Sequence, residues 1–163
     1  MYVCNVSESD AVNGNSYVDK VKNSISDENA EIVFLAVSIE ADINELDSFE
    51  EREMFLDDIG LKEPGSSKLI RSTYSLLNLQ TYFTAGEKEV RAWTIPIGAT
   101  APEAAGVIHT DFEKGFIRAE VISIEDLVNH GSELKVKEAG KIRIEGKDYT
   151  LKDGDVLHFR FNV

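Results

Sequence analysis

Cysteine is nearly absent from this chain: Cys4 stands alone among 163 residues. A single thiol excludes an internal disulfide framework and points to a reducing compartment, so the cytoplasm is the expected location. With only His109, His130 and His158 beside it, there is no pair at the spacing of a closed zinc site. No apolar run approaches the roughly 20 residues that span a bilayer. The opening Met1-Tyr2-Val3-Cys4-Asn5 also lacks the charged, then apolar, layout of a signal peptide, so no membrane partner is expected. Positive charge is scarce, with 17 Lys and Arg against 30 Asp and Glu, a net charge of -13. That balance excludes a chain that holds nucleic acid by a general positive field; any such contact has to be local. Gly-x-x-x-x-Gly-Lys-Ser/Thr is missing, and Ala139-Gly140-Lys141-Ile142 fails as a substitute because Ile142 stands where a metal-binding hydroxyl is needed. No Gly-x-Ser-x-Gly elbow supports a hydrolase triad.

What is present is enough apolar residue, 42%, to build a core. The charge is uneven. Residues 1–78 carry 16 acidic against 6 basic residues, whereas 79–163 carry 14 against 11. The pattern changes at the same place, which predicts two domains, 1–78 and 79–163. In the first, Met1 to Val6 reads as a buried strand, Tyr17 to Ser24 as a short amphipathic helix and Ile32 to Val37 as a second buried strand, a βαβ layout. Ala41 to Leu61 and Ser66 to Leu79 read as a helical hairpin broken by Pro64-Gly65. Ser66 or Ser67 is the expected cap of the second helix, and Ser38 of the first. Asp57-Asp58-Ile59-Gly60 matches the Asp-x-x-Gly of nucleotide switches but reads as a helix end. From Gln80 the period becomes two, with strands expected at Thr81–Thr84, Glu89–Pro96, Phe116–Ser123, Lys141–Glu145, Tyr149–Leu151 and Val156–Phe161. Helices fit at Ala101–His109 and Ile124–Asn129, a turn at His109-Thr110-Asp111 with Thr110 or Asp111 capping, and a tight turn at Asp153-Gly154-Asp155. The fold class is α+β.

Two sets of residues carry chemistry. Asn5-Val6-Ser7-Glu8 lies where a strand leaves a sheet, the place where open α/β sheets bind ligands. An Asn amide can bond a purine edge, and a carboxylate three residues on can accept from its N–H donors. The loop around Ser38 would flank the same pocket. In the second half Lys88, Arg91, Lys114 and Arg118 stand near strand ends among Tyr82, Phe83, Trp93, Phe112 and Phe116, a mixture that suits RNA through phosphate contact and stacking. The competing reading makes the aromatics a small core and the charges its solvated surface.

Leu79-Gln80-Thr81-Tyr82-Phe83-Thr84-Ala85-Gly86, Glu89-Val90-Arg91-Ala92-Trp93-Thr94-Ile95 and the run Ala104-Ala105-Gly106-Val107-Ile108-His109-Thr110-Asp111-Phe112-Glu113-Lys114-Gly115-Phe116-Ile117 resemble the YchF (Obg-like ATPase) family, as does the closing Asp153 to Asn162. The resemblance implies a remnant of an α/β P-loop nucleotidase domain (βαβ plus helical hairpin) followed by a β-grasp, ubiquitin-like TGS domain. Asn5 and Glu8 fall on the family's Asn-x-x-Glu base-specificity loop, which favours ATP over GTP, and Val6 would face the base. Where the family reads Ser-Ala-Lys before Ile-Glu-Ala, this chain has Ala36-Val37-Ser38 before Ile39-Glu40-Ala41. The family's phosphate loop, switches and coiled-coil insertion would precede Met1. The resemblance therefore implies ATP and Mg2+ as cofactors of the full-length family, none bound by this chain alone, and no hydrolysis by it. TGS domains are associated with ribosome or RNA contact. The alternative from another class is a non-catalytic protein or RNA interaction module.

Overall fold

The computed structural model describes residues 1–28, 30–86 and 89–162. The chain divides into two compact units, Met1–Leu76 and Leu77–Val163.

Unit 1 opens with β1 (Tyr2–Asn5), a 3-10 turn (Glu8–Asp10), α1 (Ser16–Ser24) and β2 (Ile32–Leu35), followed by α2 (Val37–Glu45), α3 (Phe49–Asp58) and α4 (Gly65–Leu76). β1 and β2 pair in parallel, Tyr2 against Ile32 through Asn5 against Leu35, with α1 as the crossover that a parallel pair requires. Ala11, Ala36, Ile39, Ile43 and Leu56 form the core, with Val6, Phe55, Ile59 and Leu61 packed on it. Three sequence expectations are corrected here. β1 is not buried: Tyr2 and Val3 are 40% and 49% exposed, whereas Val33 and Leu35 of the paired strand β2 are buried. The helix expected over 41–61 is two helices, broken where Ser48 and Glu51 form a capping box: the Ser48 hydroxyl accepts from the Glu51 N–H and the Glu51 carboxylate from the Ser48 N–H, both at 3.1 Å. Helix α4 is capped neither by Ser66 nor by Ser67. Glu40 reaches from α2, its two carboxylate oxygens accepting from the N–H groups of Gly65 at 2.7 Å and Ser66 at 3.0 Å. The end of α3 at Gly60, with φ +76°, is as the sequence indicates.

Unit 2 is built on a five-stranded sheet in the order β4-β3-β7-β5-β6, where β3 is Leu79–Ala85, β4 Val90–Pro96, β5 Phe116–Ser123, β6 Arg143–Glu145 and β7 Asp155–Phe161. β3 runs parallel to β7, and the other pairs are antiparallel. Helices α5 (Ala101–Ile108) and α6 (Thr110–Lys114) go with one core, made of Tyr82, Ile95, Ala104, Phe116, Val121 and Leu157 among others. On the other side Ile122, Val136 and Val156 pack with Phe83, Leu127 and Ile142, which brings in α7 (Ile124–His130) and α8 (Glu133–Glu138). Strand alternation divides the sheet residues between these two faces. The expected strand Tyr149–Leu151 is instead a single bridge, Thr150 to Thr100, since Tyr149 turns its hydroxyl to the Asp155 carboxylate at 2.7 Å. Residues 110–114, read as a turn, form a short helix. Its cap is His109, whose Nδ1 accepts from the Asp111 N–H at 3.2 Å, not Thr110 or Asp111. Among the described residues no helix is long and apolar enough to cross a membrane.

Asp155 is 2% exposed and holds the approach to the last strand: it accepts from Tyr149 Oη, from the Lys152 N–H at 2.9 Å and from Arg143 Nη2 at 3.3 Å. Burial and that bond push the Tyr149 phenol up to about 12. Asp155→Ala strands these donors and is expected to cost unit 2 about 3 kcal/mol, with Tyr149→Phe nearer 1 kcal/mol. Urea unfolding followed by the fluorescence of Trp93, the one tryptophan, reads this unit selectively. In unit 1, a Cβ added at Gly65 meets the Leu35 Cβ at 2.5 Å, so Gly65→Ala pushes the start of α4 off β2 and is expected to destabilise that unit by about 1–3 kcal/mol.

Candidate functional site

A parallel pair brings the loops at its carboxyl ends together, and here those loops begin at Asn5 and Ala36. They are joined directly. The Asn5 Oδ1 accepts from the Val37 N–H at 3.1 Å, supplying the first turn of α2 with an acceptor that its own cap residue, Ala36, lacks. Val6 continues the ladder through its N–H to the Leu35 carbonyl at 3.0 Å, and its half-buried side chain packs on the unit 1 core.

Beyond Val6 the loop closes around Asp10. The Ser7 hydroxyl donates to Asp10 Oδ2 at 2.7 Å and the Asn15 amide at 2.8 Å, while Asn15 Oδ1 accepts from the N–H groups of Tyr17 and Val18 and so caps α1. These two donors, Asn15 first, hold the Asp10 carboxyl below the ordinary aspartate range. The result is a cleft of about 390 Å3 whose lining includes Asn5, Val6, Ser7, Asp10, Asn15 and the exposed ring of Tyr17. It offers an amide NH2, a carboxylate and an aromatic face, groups suited to a flat heteroaromatic ligand with donors and acceptors on its edge.

Of the four residues singled out by sequence for base binding, Asn5 and Val6 line this cleft. Glu8 is exposed at the start of the 3-10 turn and Ser38 is exposed in the first turn of α2; neither belongs to the lining. Ser38 does not cap α2 either, which starts one residue earlier. Asp10, Asn15 and Tyr17 were missed. Asn15 was readable, since Asn directly before an amphipathic period is an N-cap signal.

Among the described residues, the basic candidates of unit 2 do not form one patch. Lys88 lies outside the described residues. The Arg91 guanidinium sits 4.0 Å from the Trp93 ring centre, on the face that carries Tyr82 and Ile95, and the indole N–H donates to Thr84 Oγ1 at 2.9 Å. Lys114 ends α6. Arg118 is exposed on β5, and alternation places it with Glu120 and Ile122 on the opposite face. Among the described residues no group of three or more His, Cys, Asp and Glu could hold a metal ion.

The fold and the cleft define a class: a mixed α+β chain with a ligand-sized cleft at the carboxyl ends of parallel strands and a separate mixed-sheet unit. Residues 79–162 match the model of the family YchF-GTPase_C, described as a protein of unknown function (DUF933). The chain belongs to the YchF family. It is 59% identical over all of its 163 residues to the ribosome-binding ATPase YchF of Escherichia coli O157:H7, and 60% identical to that of Pasteurella multocida, in each case covering 44% of the relative. Identity to the Bacillus subtilis protein of the same name is 53%, covering 45% of it. The chain thus spans less than half the length of these relatives. The solved YchF GTPase of Schizosaccharomyces pombe superposes with a TM-score of 0.81 at 36% identity, over 98% of this chain and 43% of that one. A GTP binding protein from Pyrococcus horikoshii shares the fold, with a TM-score of 0.62 at 16% identity, over 98% and 45%.

The Asp10 carboxyl provides a check on the cleft. Because its folded pKa is depressed, its contribution to the loop is fully present above the unfolded value of about 3.9 and is lost as pH falls through the lower folded value. Carboxyl-detected NMR titration should place the midpoint below that of an ordinary aspartate, and Asn15→Ala should move it back up. A midpoint unchanged by Asn15→Ala would contradict the geometry.

Proposed function

We propose that this chain is part of a YchF-type ATPase, with unit 1 a segment of the nucleotidase domain and unit 2 a β-grasp TGS domain. Unit 1 supplies the pocket for the purine base. Asn5 holds the two strand-end loops together and presents its amide to the base edge, with Val6 next to it in the lining and the Tyr17 ring as a stacking surface; Glu8 and Ser38, exposed outside the lining, are the further base-binding candidates. The observation that carries this reading is the bond from the Val37 N–H to Asn5 Oδ1, which ties the two strand-end loops together and fixes Asn5 in the wall of a cleft at the end of the parallel strands, where nucleotides lie in open α/β sheets. The residues present fit a base and not a triphosphate: the chain has no Gly-x-x-x-x-Gly-Lys-Ser/Thr to cradle phosphates and their Mg2+. When ATP is held by the full-length protein, its phosphates supply most of the binding energy and the hydrolysis chemistry, and the residues of this chain select and orient the base.

Unit 2 is the ribosome-contacting module of this reading, in line with the ribosome binding for which the bacterial relatives are named. Lys88, Arg91, Lys114 and Arg118 are its basic candidates for ribosome or RNA contact. The protein works in the cytoplasm, where ribosomes are.

The test has two arms. By calorimetry the chain alone should bind ATP more weakly than about 1 µM, since phosphate contacts at a P-loop dominate affinity. Sub-micromolar binding would overturn the division of labour between base and phosphates. In a protein extended upstream to the length of the relatives, Asn5→Ala should weaken ATP binding about tenfold or more, the loss of one or two buried hydrogen bonds. Unchanged affinity in that variant would remove Asn5 from the pocket.

A further inference from the structure

On the side of the unit 2 sheet where α7 and α8 pack, the two central antiparallel strands carry an unusual pairing. Arg118 of β5 stands directly opposite Arg160 of β7. Like charges facing each other across a strand pair destabilise a sheet. Arg160 is partly compensated, its Nε donating to Glu120 Oε1 at 3.2 Å. Arg118 is exposed and has no ion pair or hydrogen bond among the described residues. The register also shifts between Phe116 and Arg118, leaving Ile117 as an extra residue, a bulge of the kind that re-aims neighbouring side chains. The register thus sets beside the paired Arg160 an arginine, Arg118, that the described residues leave without a partner.

Around this pair the surface is mixed. A cleft of about 380 Å3 next to it is lined by Arg160, Glu120, His158, Lys137, Leu134 and Ile142. His158 Nε2 and Glu133 Oε1, 3.1 Å apart, hold α8 against the strand and leave the cleft's far wall fixed. Leu134 on α8 and Ile144 on β6, the latter opposite Glu120 in register and so on the same face, are 66% and 65% exposed. Arginine forks recognise carboxylates in bidentate fashion, and the apolar rim excludes water from such a pair.

Resting on the ribosome reading above, we infer that this face docks an acidic protein segment of the ribosome, with one carboxylate between Arg118 and Arg160 and apolar neighbours against Leu134 and Ile144. RNA fits it less well. Among the described residues the one exposed aromatic ring of unit 2, His109, lies beside Phe112, which packs on the core of the opposite face, so this face offers no platform for splayed bases. Glu120 and Glu133 stand in the same surface, and a chain of net charge -13 repels a polyanion more than a single carboxylate. The proposal moves the contact from Arg91, whose guanidinium is occupied by the Trp93 ring, to the other face of the sheet.

The experiment places the photo-crosslinker p-benzoylphenylalanine at position 134 of the full chain and irradiates it with purified bacterial ribosomes. The expected product is an adduct with a ribosomal protein at a segment where Asp or Glu adjoins apolar residues. Its yield should fall about tenfold in Arg118→Ala and further in Arg118→Ala with Arg160→Ala. Unchanged Trp93 fluorescence establishes that the variants are folded, and if the double variant is not, the single one decides, because Arg118 has no partner to lose. Adducts with ribosomal RNA, or yields unaffected by Arg118→Ala, overturn the proposal. Cosedimentation with ribosomes but no adduct at position 134 overturns the choice of face and leaves ribosome binding intact. Absence of cosedimentation overturns the ribosome reading and this proposal with it.

Discussion

The parallel register of β1 on β2, with Asn5 level with Leu35, is the constraint from which the candidate site follows. Parallel strands cannot be closed by a hairpin, so both loops that leave their carboxyl ends come out side by side. With Asn5 as the last residue of one strand and Ala36 the first after the other, a side chain as short as an asparagine spans the gap and caps the next helix. A one-residue slip would turn Asn5 to the other side of the sheet and leave the Val37 N–H without this acceptor.

Local pattern made much of this legible. The period-two segments from Gln80 onward, the helix at Tyr17–Ser24, the glycine that ends α3 and the tight turn before the last strand all follow from side-chain spacing and from residues with restricted backbone freedom. Ser48-x-x-Glu51 was equally local, and a capping box in the middle of an apolar period should have split the predicted helix in two. Other features were beyond sequence pattern. Ser66 and Ser67 look like caps of α4, yet Glu40, 25 residues before Gly65, takes both N–H groups, a carboxylate being the stronger acceptor at the positive end of a helix. Sequence spacing carries no record of such long-range caps. Likewise Tyr149 sits in a strand-like triplet, but a buried carboxylate six residues on outbids the ladder.

The candidate site shows the same division. Asn5 was found from its place at a strand end, and Val6 came with it. Asp10 and Tyr17 became visible only once the loop was folded, since it is the turn from Ser7 to Asn15 that brings them to one cleft. Glu8 shows how far spacing alone reaches. Its spacing from Asn5 matches a recognition motif, but spacing along a chain that enters a 3-10 turn does not determine which way a carboxylate is presented, and Glu8 remains outside the lining.

For the basic residues of unit 2, parity decides more than proximity. Lys88, Arg91, Lys114 and Arg118 form a loose cluster when read as a list, but alternation in the strands sends Arg91 and Arg118 to opposite faces. Arg91 then finds the Trp93 ring, and the aromatic residues that made an RNA reading attractive are taken up in cores on either side of the sheet. What is left uncommitted among the described residues is Arg118, and the antiparallel pairing of β5 and β7 draws into register with it a residue that composition alone does not mark out, Arg160, which is bonded to Glu120. Two arginines that repel each other within the folded chain are held there at a cost to the sheet, and an incoming carboxylate is the simplest group that removes the repulsion while filling both.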